Sequence, residues 1–279
     1  MARRSVLFSP GDQPALCRTA PDSGADVVVF DLEDAVAPTA KEAGREAVGT
    51  VLGEIDPDCE VCVRVNAGDA AADDVAALAE GTPPDSVMLP KTTGADDVDR
   101  LADQLDDHGL SLPILALVES ARGVLHAEEI ADAGPTDAVL FGAEDLAADL
   151  GATRTAEGTE VLYARQRVVT AASAAGVDAI DTLWTDFEDT DGLRADTERG
   201  IEMGYDGKMT IHPRQVTVVN DAFTPSDERI DWAEKVLAAR DDAEAAGKGV
   251  FAVEGEMIDA PLIAQAERVV ERARAAGKR

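Results

Sequence analysis

The strongest constraint on the fold of this chain is a series of short apolar runs that each end in charged or polar residues. The run at 27–33 ends in Asp31 and Glu33, and the run at 61–66 contains Arg64 near its end. The runs recur at spacings of roughly 25 to 35 residues, and the stretches between them are rich in Ala, Glu, Asp and Arg. Buried strands that alternate with helices are typical of βαβ units, so the pattern predicts a parallel sheet.

Eight such runs predict eight strands, at about residues 5–10, 27–33, 61–66, 87–91, 114–119, 138–145, 179–184 and 207–212. Eight parallel strands, each followed by a helix, predict an α/β fold of the closed (β/α)8 TIM-barrel type. A doubly wound open sheet is the alternative, but its charged residues would cluster at one switch point instead of ending nearly every strand. We expect residues 1–222 to form the barrel and residues 223–279 to form a C-terminal helical extension.

The C-terminal extension is longer than a barrel needs for closure. Its sequence predicts a helix from Ser226, then a segment that contains Gly247, Gly249 and Gly255, and a last helix near the C-terminus. Two helices with a glycine-flanked loop between them are expected to act as a lid or as a contact with a neighbouring subunit.

A formal net charge of −31, from 56 acidic and 25 basic residues, indicates adaptation to high salt. Carboxylates at this density repel one another in dilute buffer, but at molar salt the Debye length is about 3 Å and the repulsion is screened. We therefore expect a halophilic protein. An acidic tail for a basic partner is the alternative, although the carboxylates are spread along the whole chain. Nucleic acid is not an expected ligand, because binding to its phosphates requires a basic surface.

Cysteine content and hydropathy favour a cytoplasmic protein without a membrane partner. The three cysteines, Cys17, Cys59 and Cys62, leave no even-numbered disulfide framework. Cys59 and Cys62 have C-x-x-C spacing but no second pair to complete a zinc site, so a redox or metal role is the minor alternative. No apolar stretch reaches about 18 residues and no signal peptide precedes the first strand, so we expect neither a membrane span nor secretion.

Two carboxylates, Glu119 and Asp145, lie at or just past the ends of consecutive predicted strands, where side chains of a (β/α)8 barrel enter the active site. Hard oxygen ligands from two strands, with positions left for waters and a chelating substrate, are what Mg²⁺ prefers. Either residue alone could instead cap the following helix. The other strand-end charges favour the metal site, since Asp31, Glu33 and Lys91 also end apolar runs.

Seven short motifs occur in unbroken order along the chain: RSVLFSPG at 4–11, DLEDAVAP at 31–38, RVN at 64–66, LPK at 89–91, FGAED at 141–145, GKMTIHP at 207–213 and MID at 257–259. Each motif alone is weak, but their combination closely resembles the citrate lyase β-subunit-like (CitE-like) proteins. These proteins belong with the HpcH/HpaI aldolases and the malyl-CoA lyases. The resemblance extends from residue 4 to about residue 261.

The resemblance implies a Mg²⁺-dependent lyase, with Mn²⁺ as a substitute, that reversibly cleaves a carbon–carbon bond of a 3-hydroxyacyl-CoA thioester. Malyl-CoA, β-methylmalyl-CoA and citryl-CoA are the implied types of substrate, and the products are an acyl-CoA and a 2-oxo acid. Three alternatives stay open: a malyl-CoA thioesterase, a free-acid 2-oxo-acid aldolase, and a β subunit of a citrate lyase complex.

The resemblance and the chemistry of cleavage together suggest roles for the barrel residues. Glu119 and Asp145 would hold Mg²⁺ as a Lewis acid, and Arg64 would stabilise the developing negative charge or bind the substrate carboxylate. The backbone N–H groups of Gly142 and Ala143 would bind the 2-oxo acid.

Three further charged residues are expected to support this site. Asp31 and Glu33 would order metal-bound waters or fix Arg64, and Lys91 would pair with those carboxylates. A Schiff-base lysine is the alternative for Lys91, and the metal pair argues against it.

Asp259, in the MID motif, is implied by the resemblance to be the acid/base and to act in the site of a neighbouring subunit. Capping of the helix that begins near Pro261 is the alternative role. Donation of a C-terminal segment across a subunit boundary implies a homotrimer, or a hexamer formed by two trimers.

The CoA-binding region is the main departure from the family pattern. Where many relatives place basic residues that bind the phosphates of CoA, this chain has the sequence DQPA at 12–15. Arg18, Lys41 and Arg45 follow in the sequence and are expected to substitute. An acyl-carrier protein or a free hydroxy acid stays open as an alternative to CoA.

Overall fold

The computed structural model describes residues 2–245 and 250–279. Its contacts divide the chain into two units, one formed by Arg3–Val219 and the other by Asn220–Arg279 with Ala2. Gly247 and Gly249 of the predicted loop lie outside the described residues.

The first unit contains eight parallel strands that close into a barrel, so the predicted TIM barrel is confirmed. Each strand pairs with the next one along the chain, and closure comes from the last strand pairing with the first, for example Val6 with Met209. The strands are β1 (Ser5–Pro10), β2 (Val27–Asp31), β3 (Glu60–Arg64), β4 (Ser86–Leu89), β5 (Ile114–Val118), β6 (Thr136–Phe141), β7 (Asp178–Asp181) and β8 (Gly207–Thr210).

Several strands end earlier than the sequence pattern predicts. The sixth ends at Phe141 and not at Asp145, and the eighth ends at Thr210 and not near His212. The residues just past each strand belong to loops or to the first turn of a helix. Most charged residues of the site therefore lie just past the ends of the strands and not within them.

The barrel wall separates two apolar cores, which explains why the strands are apolar almost throughout. Side chains that point outward pack under the helices, and those that point inward fill the barrel. The buried members of the inner core are Val6, Val27, Val29, Cys62, Met88, Leu115, Leu117, Ala138, Leu140, Ile180 and Met209.

Helices follow the strands, and side-chain caps or glycines mark some of their ends. Ser120 accepts a hydrogen bond from the Gly123 N–H at 3.1 Å, and Gly176 ends another helix with a φ of 76°. Within the described ranges, no helix is both long and apolar enough to span a membrane. The helices up to residue 223 are α1 (Pro14–Thr19), α2 (Lys41–Leu52), α3 (Ala71–Ala79), α4 (Ala95–Asp107), α5 (Ala121–Leu125), α6 (Ala127–Asp132), α7 (Ala143–Leu150), α8 (Leu162–Ala175), α9 (Thr190–Met203) and α10 (Pro213–Phe223).

Four buried charges join β7 and β8 to helices α8 and α9. Arg165 donates to Asp181 and Asp196, and the Lys208 ammonium lies 2.6 Å from Asp196 and 3.3 Å from Asp181. Lys208 is fully buried, and the two cations balance the two carboxylates. Because every charge has an opposite partner, this group is compatible with burial and fixes the end of β7.

The second unit consists of two helices and a short antiparallel hairpin between them in the sequence. The hairpin turn is formed by Glu254 and Gly255, whose φ values of 51° and 89° match a two-residue turn with both residues left-handed. Val236, Ile258 and Ala266 belong to its apolar core. The elements are α11 (Asp227–Ala245), β9 (Phe251–Val253), β10 (Glu256–Ile258) and α12 (Ala260–Ala275).

Candidate active site

A cavity of about 340 Å³ opens at the C-terminal ends of the barrel strands. This is the end at which (β/α)8 barrels carry their active sites. The structure brings six of the predicted site residues to this cavity, whose lining includes Asp31, Arg64, Glu119, Gly142, Ala143 and Asp145.

Glu119 follows β5 directly and is a buried carboxylate, with 6% of its surface exposed. Its Oε1 accepts a hydrogen bond from the backbone N–H of Lys91 at 2.8 Å. Burial raises the pKa of Glu119 to about 8, and the charges of Asp145 and Glu33 act in the same direction, whereas Arg64 opposes them. A buried carboxylate beside other carboxylates is a place where a bound cation would be stabilised.

Asp145 lies on α7 and not on the sixth strand. The helix begins at Ala143 after Gly142, so Asp145 occupies its first turn, where the helix dipole favours a negative charge. Asp145 is exposed, whereas Glu119 is buried.

The donor set of the cavity fits a hard divalent cation. Among residues 2–245 and 250–279, no group of three or more His, Cys, Asp or Glu side chains is arranged to hold a metal. Of the five acidic residues that line the cavity, Asp31, Asp34 and Glu144 pair with basic side chains, and Glu119 and Asp145 are the two carboxylates left as candidate ligands. Mg²⁺ is commonly held by one or two carboxylates and keeps several waters, so Glu119 and Asp145 fit it.

Arg64 is held in place before any substrate binds. Its Nε and Nη2 donate to the two oxygens of Asp31 at 2.7 and 2.6 Å, and its Nη1 lies 3.2 Å from Glu33. The guanidinium also lies over the ring of Phe8, 5.1 Å from its centroid. Asp31 accepts two further hydrogen bonds from the backbone N–H groups of Glu33 and Ala35. This bidentate geometry presents a cation in a fixed orientation.

The side chain of Lys91 contacts two carboxylates of the DLEDAVAP motif at 31–38. Its ammonium donates to Glu33 and lies 3.3 Å from Asp34. Burial lowers the pKa of Lys91, but the hydrogen bond and charge of Glu33 outweigh that effect and raise it, with Asp34 adding to the increase. A lysine that stays protonated is a poor nucleophile, which argues against the Schiff-base alternative.

The N–H groups of Gly142 and Ala143, which were expected to bind the 2-oxo acid, are hydrogen-bonded within the protein. Gly142 donates to the carbonyl of Val118 at 3.0 Å, and Ala143 donates to Thr182 Oγ1 at 3.1 Å. The next two N–H groups, of residues 144 and 145, have no acceptor in the described part of the chain, as is usual in a first helical turn.

Thr182 is a cavity residue that the sequence analysis missed. It is buried, lines the cavity and follows β7 directly. The sequence pattern extended the seventh strand to about residue 184, so Thr182 lay inside the predicted strand and was not recognised as a polar residue just past it.

The three cations expected to bind CoA have partners within the protein, and none of them lines the cavity. Arg18 pairs with Glu54 at 2.7 Å, and Arg45 pairs with Asp74 at 2.6 Å. The Lys41 ammonium donates to the backbone carbonyls of residues 32 and 33 at 2.7 and 2.5 Å. Binding of CoA phosphates by these side chains would require them to exchange partners.

Asp259 belongs to the second unit and precedes α12. Its carboxylate is exposed and accepts a hydrogen bond of 3.4 Å from the Leu262 N–H, so the helix-capping contact is present.

Comparison with known proteins identifies relatives over almost the whole chain. The mitochondrial citramalyl-CoA lyase of Rattus norvegicus is 39% identical in an alignment of 287 positions, gaps included. The alignment covers 96% of this chain and 85% of that protein. The (3S)-malyl-CoA thioesterase of Cereibacter sphaeroides is 36% identical and covers 98% of this chain and 95% of its own length.

A solved structure supports the same relationship. The protein CitE from Mycobacterium tuberculosis, in complex with magnesium, acetoacetate and coenzyme A, is 39% identical, has a TM-score of 0.82 and covers 98% of both chains. The sequence model of the HpcH/HpaI aldolase/citrate lyase family matches residues 4–213. The predicted family is confirmed: the chain belongs to the HpcH/HpaI aldolase/citrate lyase family.

Proposed function

We propose that this protein is a Mg²⁺-dependent carbon–carbon lyase that reversibly cleaves a 3-hydroxyacyl-CoA thioester into an acyl-CoA and a 2-oxo acid. The observation that carries the proposal is the pair Glu119 and Asp145, which line the same cavity as the fixed guanidinium of Arg64. A lyase of this family, the citramalyl-CoA lyase of Rattus norvegicus, is 39% identical.

Glu119 and Asp145 would hold Mg²⁺, with Mn²⁺ as a substitute. The bound ion would supply Lewis-acid stabilisation of negative charge on substrate oxygens. Magnesium is present in the CitE complex from Mycobacterium tuberculosis, which is 39% identical to this chain.

Arg64 would bind the negative charge that develops when the carbon–carbon bond breaks. The substrate hydroxyl releases its proton to solvent and becomes the carbonyl of the 2-oxo acid, while the electron pair of the broken bond moves into the thioester fragment as an enolate. A fixed guanidinium nearby stabilises an oxyanion without reorganising. Asp31 keeps the guanidinium in that position through its two hydrogen bonds.

The carboxylate of the 2-oxo acid would lie at the start of α7. The N–H groups of Glu144 and Asp145 are open there, and a helix N-terminus favours an anion. Gly142, Ala143 and Thr182 then shape this end of the cavity through their own hydrogen bonds and do not donate to the substrate.

Asp259 of a neighbouring subunit would transfer the proton at the α-carbon of the acyl-CoA. It would protonate the enolate in cleavage and remove the same proton in condensation. The exposed position of Asp259 in a single chain supports this proposal. A closed homotrimer, or a hexamer of two trimers, would supply the neighbour.

A malyl-CoA thioesterase is the second candidate function. It is favoured by the 36% identity to the (3S)-malyl-CoA thioesterase of Cereibacter sphaeroides. The same carboxylates would then assist the attack of water on the thioester carbonyl, and the carbon–carbon bond would stay intact.

The two functions differ in their products. The purified protein is incubated with Mg²⁺ and either malyl-CoA or citramalyl-CoA, and free thiol and 2-oxo acid are measured separately. Molar KCl is used because the charge of −31 suits the salt-rich cytoplasm that we propose as its location. A lyase releases 2-oxo acid without thiol, whereas a thioesterase releases thiol without 2-oxo acid. Cleavage of free malate or citramalate would instead support a free-acid aldolase, and inactivity without an acyl-carrier partner would support a citrate lyase subunit.

A further inference from the structure

The carboxylate of Glu119 is enclosed between two backbone segments. Its Oε1 accepts the Lys91 N–H at 2.8 Å. On the other side, a Cβ placed on Gly142 would lie 2.6 Å from the Glu119 Cβ and 2.9 Å from its Oε2. Both distances are shorter than a carbon atom can maintain, so the position of Glu119 depends on the absence of a side chain at residue 142.

Lys91 has a backbone conformation that is unusual for a residue with a side chain. Its φ is 53°, and within the described ranges only one other non-glycine residue, Glu254, has a positive φ. This left-handed region brings Cβ close to the backbone carbonyl oxygen and is disfavoured. The next residue, Thr92, donates its N–H to the Leu117 carbonyl at 3.1 Å, so the segment after β4 is anchored to β5, the strand that precedes Glu119.

Gly142 is anchored to the same strand. Its N–H donates to the carbonyl of Val118, the residue before Glu119, at 3.0 Å. This contact brings the Gly142 backbone against Glu119. A methyl group on residue 142 would have to displace the Glu119 side chain. Lys91 and Gly142 therefore act on Glu119 from two strand ends.

We propose that Lys91 and Gly142 are positioning residues for Glu119, Lys91 through its backbone N–H and Gly142 through its lack of a Cβ. Oε1 is engaged by Lys91, and Oε2 is the oxygen that binds the cation. The inference rests on the proposed role of Glu119 as a metal ligand. It assigns to Lys91 a function of its main chain, separate from the ion pairs of its ammonium group.

The first test is the affinity of the purified protein for Mn²⁺ alone, measured by electron paramagnetic resonance or calorimetry in molar KCl. Gly142→Ala should weaken binding by roughly 10- to 100-fold, the usual effect of changing a group that orients a metal ligand. Gly49→Ala, in α2, is the matched control, because a Cβ there meets no atom within 4 Å. Circular dichroism and the urea midpoint check the fold of both variants.

The second test separates the main chain of Lys91 from its side chain. Lys91→Gly, Lys91→Ala and Lys91→Val all remove the ammonium, but they tolerate a positive φ to decreasing extents. Mn²⁺ affinity should fall in the order Gly, Ala, Val. An equal loss in all three variants would assign the effect to the ion pairs and overturn the positioning role of the Lys91 main chain.

The outcomes distinguish the inference from the function on which it rests. If the unmodified protein does not bind Mn²⁺, the metal site and this inference both fail. If it binds Mn²⁺ and Gly142→Ala binds equally well, the inference is wrong and the metal site stands. If Gly142→Ala does not fold, the order of affinities in the Lys91 variants decides the result.

Discussion

Arg64 and Asp31 form a bidentate pair in which Nε and Nη2 of the guanidinium donate to the two carboxylate oxygens at 2.7 and 2.6 Å. Asp31 accepts two backbone N–H groups as well, so each of its oxygens accepts two hydrogen bonds. The orientation of the cation is thus determined by β2 and its loop, and substrate binding does not have to establish it.

Asp31→Asn should therefore affect both stability and turnover. An amide has a single acceptor oxygen and cannot form the bidentate pair, and the buried guanidinium would lose the nearer of its two counter-charges, at a cost of about 3 kcal/mol in unfolding free energy. Misplacement of Arg64 should lower kcat/KM on the order of 100-fold. Urea unfolding and steady-state kinetics in molar KCl measure the two effects. Glu54→Gln, which breaks the exposed pair with Arg18, is the control and should change neither quantity.

Glu119→Gln and Asp145→Asn should each abolish tight Mn²⁺ binding and lower kcat by at least about 100-fold. Gln at position 119 keeps an acceptor for the Lys91 N–H, so the fold should survive. Glu129→Gln, at an exposed position on α6, is the matched control. Full activity of either variant, or of the unmodified protein in EDTA, would contradict the metal assignment.

Salt should stabilise this protein. With a net charge of −31, mutual repulsion of surface carboxylates opposes folding in dilute buffer, and molar KCl screens it. We expect the melting temperature to rise steadily from low to molar KCl. Sucrose at matched osmolality, which does not screen charge, should have a smaller effect. A melting temperature that is independent of salt would show that the acidic surface has another cause.

Asp259→Asn should retain Mn²⁺ binding but lose on the order of 10² to 10⁴ in turnover, the usual contribution of a positioned acid or base. Mixing it with Arg64→Ala, which is also expected to be inactive, should restore partial activity in hybrid oligomers. Some sites would then combine an intact Asp259 from one chain with an intact Arg64 from another. Sedimentation should show a trimer or hexamer. If activity does not recover after verified subunit exchange, Asp259 does not act across the boundary.

Cys62 should be unreactive in the native protein. Burial inside the barrel raises the pKa of its thiol to about 12, so almost no thiolate is present at pH 8. Iodoacetamide at that pH should leave Cys62 unlabelled in mass spectrometry until urea unfolds the chain. Rapid labelling in the native state would revive a redox role for the C-x-x-C pair.

The barrel was predictable from the sequence because its strands are buried on both faces, which makes each one an apolar run that ends in a polar residue. Arg64, Glu119 and Asp145 were found by the same rule, and the structure places all three at one cavity. The end of β6 was misplaced because the apolar run continues into α7, and the pattern alone does not separate a strand from a buried helical turn.

The backbone donors could not be predicted in the same way. The N–H groups of Gly142 and Ala143 are used by the Val118 carbonyl and by Thr182, which belong to other strands. Such partners are determined by how neighbouring strands align in the fold, and this alignment cannot be read from the spacing of residues along the chain. The φ of Lys91 is likewise a consequence of its neighbours, because no glycine marks that turn.

The buried group of Arg165, Lys208, Asp181 and Asp196 should be insensitive to the salt concentration of the solvent. Its charges are buried and neutralise one another, so we expect them to stay paired at low and at high salt concentration. The stabilisation by salt that we expect would therefore act on the outer surface. Replacing exposed carboxylates with neutral or basic side chains should yield a protein that folds in dilute buffer and keeps the same buried core.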